Sequence, residues 1–116
     1  MEKGRPALQS AYRHYFRDQD VKAIAFPTTP LPARPIGQDK EVELNGKKVS
    51  TLRTYAHNTR AMTIAGIPGI SLPIGMTAKG LPVGLEIEAP FGEDRSLLGL
   101  ALAMEQLFGK LKAPPT

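Results

Sequence analysis

Four prolines fall within nine positions, at Pro27, Pro30, Pro32 and Pro35, and this cluster constrains the fold more than any other feature. Proline fixes its own φ and drives the preceding residue out of the helical region, so residues 27–32 must run extended. Pro68, Pro73 and Pro82 punctuate a second stretch, and Pro114 and Pro115 close the chain. None interrupts an apolar pattern of helical period, so they mark connections and sheet margins. Eleven prolines in 116 residues is roughly twice ordinary usage.

Between the prolines the apolar spacing predicts a small set of elements. Ala7, Leu8, Ala11, Tyr12, Tyr15 and Phe16 recur at a 3.6-residue period, which predicts a helix over residues 5–19. Residues 21–26 read as a short buried strand stopped by Pro27. Asn45-Gly46 is a type I′ hairpin signal, which sets Leu44 opposite Lys47, Glu43 opposite Lys48 and Val42 opposite Val49. Ser50 or Thr51 caps a second helix running to about Ile64, with Leu52, Tyr55, Ala56, Thr59 and Thr63 on its inner face. Residues 70–75 and 81–88 read as strands joined by a turn at Ala78-Lys79-Gly80, with Val83, Leu85 and Ile87 on one face and Gly84, Glu86 and Glu88 on the other. Pro73 and Pro82 each remove a ladder donor, which predicts an edge or a bulge there. A last helix opens at Glu93-Asp94, carries Leu97, Leu98, Ala101, Met104, Leu107 and Phe108 as a wide apolar stripe, and ends at Gly109. One domain over residues 1–116 is the simplest division.

Composition removes several function classes. The formal charge is +4, but the cations are scattered and no run exceeds Lys47-Lys48, which argues against nucleic-acid binding. The absence of cysteine excludes disulfides, thiolate metal sites and cysteine nucleophiles. No apolar run approaches a membrane span, and residues 1–6 do not read as a signal peptide, so a soluble cytoplasmic protein is expected. With only His14 and His57 present, no metal site is expected, and no cofactor motif appears. Gly66-Ile67-Pro68-Gly69 lacks the spacing and lysine of a phosphate loop.

Nucleophilic hydrolysis needs an activated hydroxyl, a base and oxyanion donors. Ser10, Ser50, Ser71 and Ser96 all lie outside glycine-rich elbows. Ser71, between Ile70 and Leu72, reads as a structural hydroxyl without a base. The carboxylate pair Glu86 and Glu88 shares a strand face and reads as solvated. Thr28 and Thr29, held between prolines, are hydroxyls available to a ligand or simply part of a rigid connection. The residues alone describe a compact α/β piece without a complete catalytic apparatus.

Three segments carry a resemblance. Residues 65–75 (Ala-Gly-Ile-Pro-Gly-Ile-Ser-Leu-Pro-Ile-Gly) followed by residues 79–87, the segment Phe26-Pro27-Thr28-Thr29-Pro30, and the closing helix with Glu105 near its end together resemble the C-terminal region of amidase-signature hydrolases. Residues 31–37 look most like the mandelamide hydrolase and indoleacetamide hydrolase branch. Thr63 and Ile64 stand where family members usually carry an Asn, and no segment matches the family's Ser–Ser–Lys triad.

The resemblance implies an α/β fold with a mixed β-sheet flanked by helices, the C-terminal portion of an α/β/α sandwich. It implies a C-terminal fragment of a carboxamide hydrolase, which would supply sheet and pocket wall while the triad lies elsewhere. The substrate of the complete enzyme would be a small aryl or aliphatic amide, with Thr28, Thr29, Glu86 and Ile87 as substrate-binding candidates and no catalytic residue in this chain. The competing reading is a stand-alone, non-catalytic module of the same fold that binds a ligand or partner. Strands cut from their neighbours would present free edges, so self-association is expected.

Overall fold

The computed structural model describes residues 4–113. The readings that rest on Met1, Glu2, Lys3, Pro114 and Pro115 lie outside these residues. Helix α1 spans Gly4–Gln19 and buries Phe16, with Leu8 and Tyr12 packed beside it. The chain leaves the helix at Asp20, whose φ of 50° is left-handed, and the Val21 N–H bonds back to the Phe16 carbonyl. Strand β1 therefore starts at Ile24 and runs Ile24–Pro27, three residues later than the apolar run begins. Val21 is exposed because the helix exit carries it outside the sheet.

Strands β4 (Gly69–Met76) and β5 (Pro82–Glu88) join β1 in a three-stranded sheet of order β1-β5-β4, and both pairings are antiparallel. β4 is an edge, and its register slips between Pro73 and Gly75. Proline supplies no ladder donor, so the irregularity falls where the sequence requires it. Helix α4 (Asp94–Phe108) covers one face, where Leu97 and Ala101 meet Leu72, Ile87 and Ala89. The other face packs on a second cluster of Phe16, Ala65 and Ile67, with Tyr12, Ile24 and Met62 around it. A sheet between helices is the fold class expected.

The hairpin forms a separate two-stranded sheet, β2 (Glu41–Leu44) with β3 (Lys47–Ser50), in the register its turn dictates. Asn45 and Gly46 both take positive φ, 51° and 77°, as a type I′ turn demands. Ser50 caps the next helix, accepting from the Arg53 N–H.

Two further expectations are corrected. The second helix is broken into α2 (Thr51–Tyr55) and α3 (Arg60–Ala65). The interruption lets the Tyr55 hydroxyl donate to the Pro32 carbonyl and the Asn58 amide donate to the Pro27 carbonyl, both at 2.7 Å. Leu52 then points outward, 76% exposed, while Thr54 takes the buried position. The α4 stripe is also narrower than its leucines suggest. Leu97, Ala101 and Met104 meet the sheet, while Leu98 and Leu107 stay exposed because nothing among the described residues lies over them.

The chain exposes 8959 Å², where a folded monomer of this mass exposes about 6,200 Å². Its radius of gyration is 16.2 Å, against about 13 Å for a self-contained domain of similar length. Among the described residues, no helix is long and apolar enough to cross a membrane.

Candidate functional site

The polar face of the sheet builds the site. Antiparallel pairing sets Ser71 opposite Glu86, Gly69 opposite Glu88 and Phe26 opposite Glu86. Beyond β1, the Thr28 N–H bonds to the Gly84 carbonyl at 3.0 Å, so the pairing continues past Pro27. Thr28 and Ser71 then approach from the two sides of β5, and their hydroxyls meet at 2.5 Å above Gly84. A Cβ at Gly84 would lie 2.7 Å from the Ser71 oxygen and 2.9 Å from the Thr28 oxygen, so only glycine admits the pair.

Glu86 is next along the same face and is buried. Burial pushes its carboxyl above the ordinary range, and the Thr28 hydroxyl beside it pulls partly back. Thr28 and Ser71 share one hydrogen bond, in which either hydroxyl can donate, and with Glu86 beside Thr28 the three groups form one polar row. Glu88 follows, 1% exposed. Burial, and then the Glu86 carboxylate, push Glu88 up to about 7, against a smaller opposing effect of the Tyr12 hydroxyl. Tyr12 lies near enough for each group to shift the other, yet neither Glu88 oxygen has a well-formed hydrogen bond. The expectation that this carboxylate pair is solvated is thus corrected, because helices α1 and α3 close over that face.

The four candidate residues occupy different environments. Thr28 and Glu86 come together in the polar row. Thr29 bonds through its hydroxyl to the Leu31 carbonyl at 2.8 Å and lines a cleft of about 210 Å³ with Pro27, Pro30, Pro82 and Gly84. Ile87 lies on the opposite face, buried against α4. Ser71, read from the sequence as a structural hydroxyl, and Gly84, read as sharing a face with Glu86 and Glu88, join the candidates in the structure. The alternation of Gly84, Glu86 and Glu88 on one strand was the available signal. A smaller apolar pocket of about 130 Å³ sits between Tyr12, Phe16, Ile67 and Phe91, and none of Thr28, Ser71 or Glu86 lines it.

The row offers donors and acceptors but no activated nucleophile; its three residues do not line the Thr29 cleft, which they adjoin through Gly84. Among the described residues, no serine bonds to a lysine. Ser10 meets His14 at 3.3 Å on the exposed side of α1, and Ser96 donates to Glu93 at 2.8 Å. No group of three His, Asp or Glu among the described residues is placed to hold a metal.

Comparison with known proteins agrees with this architecture. Residues 1–98 match the family model described as Amidase. An indoleacetamide hydrolase of Agrobacterium vitis is 49% identical over 102 residues, covering 88% of this chain and 22% of that protein. A mandelamide hydrolase of Pseudomonas putida is 34% identical over 117 residues, covering 98% of this chain and 22% of that protein. The crystal structure of an amidase superposes with a TM-score of 0.74 at 31% identity, over 87% of this chain and 23% of the other. The chain thus spans about a fifth of the length of the curated relatives it matches.

Proposed function

Because this chain belongs to the amidase family, we propose that it serves a carboxamide hydrolase, which cleaves a carbon–nitrogen bond and releases ammonia and a carboxylic acid. In this reading the chain supplies later strands of the sheet and one wall of the substrate cleft. The nucleophilic Ser–Ser–Lys triad is supplied by sequence outside it. The substrate is a small aryl or aliphatic amide, like the indoleacetamide and mandelamide for which the relatives are named, and the site of action is the cytoplasm.

The observation that carries the wall assignment is the polar row of Ser71, Thr28 and Glu86 beside the cleft lined by Thr29. An amide presents an N–H donor and a carbonyl acceptor, and the Thr28 and Ser71 hydroxyls, which meet above the Gly84 backbone that lines the cleft, complement both. Ile87 belongs to the reading as an indirect contributor, since its burial against α4 fixes the strand that carries Glu86.

Self-association is part of the same reading. The excess exposed area, the free outer edge of β4 and exposed Leu98, Leu102 and Leu107 all call for cover. A second copy provides that cover when the chain is alone.

A segment exchange tests the function. Residues 4–113 replace the matching segment of an indoleacetamide hydrolase, and ammonia release from indoleacetamide is measured. Turnover within about tenfold of the parent is the expected result. A folded exchange protein that binds substrate normally but has lost turnover entirely would contradict the assignment.

A further inference from the structure

The carboxyl of Glu88 has no use in the polar row and no partner that balances a charge. Both of its oxygens are buried without a hydrogen bond. A buried ionised carboxylate with no cation is costly, and the protein relieves that cost by pairing it or by leaving it protonated. The groups around it leave one choice. On its own strand, the nearest titratable group is Glu86, a like charge. From α1 it faces Tyr12, a phenol. The opposite residues are Ile24 on β1 and Gly69 on β4, Met62 of α3 meets the same spot at Gly69, and the Arg5 guanidinium of α1 reaches Gly66 at the end of α3 without pairing to Glu88. The one ion pair among the described residues, Arg17 with Asp18, is exposed on the surface.

We propose that Glu88 is a pH-sensitive latch: it is held as the neutral acid beneath Tyr12 while α1 is docked on the sheet, and its ionisation loosens α1. The latch lies at an interface between elements rather than in the cleft, and the proposal is independent of the hydrolase reading. The proton leaves to solvent and no other bond changes. A carboxyl whose folded-state affinity for the proton exceeds its unfolded one contributes stability that is fully present below the unfolded value near 4.5. That stability is lost as pH rises through about 7. Helix α1 is the element released, because Tyr12 and Phe16 of α1 share their cluster with the strand and helix that enclose this face.

The test is a carboxyl-carbon NMR titration of the full chain, with amide hydrogen exchange of α1 corrected for intrinsic rates. Glu88 should titrate near pH 7, and α1 protection should fall across the same interval. Glu88→Gln should hold α1 protection constant between pH 5 and 8. Glu86→Gln, by removing the neighbouring charge, should move the Glu88 midpoint down. Tyr12→Phe should move it up. A Glu88 midpoint near 4.5 would overturn the proposal. So would α1 protection that declines equally in wild type and Glu88→Gln, or midpoint shifts in the reverse directions.

Discussion

The side-chain oxygens of Thr28 and Ser71 lie 2.5 Å apart directly above the backbone of Gly84, so two residues 43 positions apart meet across a strand that separates them. The contact ties the proline-rich turn after β1 to the edge strand β4. It lies over Gly84, whose backbone lines the Thr29 cleft.

Gly84→Ala should therefore be destabilising out of proportion to one methyl group. Both hydroxyls sit on short side chains, and the Thr28 Cβ is itself only 3.4 Å from the new atom. A loss of about 1–3 kcal/mol is expected from such overpacking. Urea unfolding measures it, and Ser71→Ala in the same background should recover part of the loss by removing the nearest atom. An unchanged midpoint for Gly84→Ala would show that the pair is not held there.

Tyr55→Phe should loosen the proline-rich segment and little else. The Tyr55 hydroxyl donates to the Pro32 carbonyl at 2.7 Å. Losing such a bond costs about 1 kcal/mol. Amide and proline NMR shifts should change around residues 31–33 while the α4 face is unaffected. Shifts spread through α4 would contradict the local role.

The hairpin should tolerate disruption. Gly46 has φ 77°, which a β-branched residue resists, and β2 and β3 form their own two-stranded sheet. Gly46→Val should erase the cross-strand contacts between Val42 and Val49 and leave the three-stranded sheet folded, as read by two-dimensional NMR. Global unfolding would place the hairpin in the core, through the buried Val42.

Several features were legible because a local rule set them. Asn45-Gly46 specified the hairpin and its register, and Pro73 foretold the bulge at the edge. The break between α2 and α3 was not legible. Residues 56–59 contain neither glycine nor proline, and the interruption is associated with bonds from Tyr55 and Asn58 to carbonyls more than twenty residues away. The burial of Glu86 and Glu88 was hidden for a similar reason. Charged residues default to solvent, and only the docking of α1 and α3 reverses that default. Thr28 was legible as a candidate, whereas its partner Ser71 required knowing which residue faces Glu86.

Self-association should appear in solution. Size exclusion with light scattering at micromolar concentration should give a mass above 12.6 kDa, and charged substitutions at Leu98 and Leu102 should reduce it. A monomer at every dilution would contradict the need for cover.

The central claim is that this chain supplies a wall for amide hydrolysis but no nucleophile. Ammonia release from indoleacetamide and mandelamide by the purified chain tests it most directly. The account predicts no release above the buffer rate at any protein concentration. Release that rises in proportion to the chain and survives repurification would contradict it.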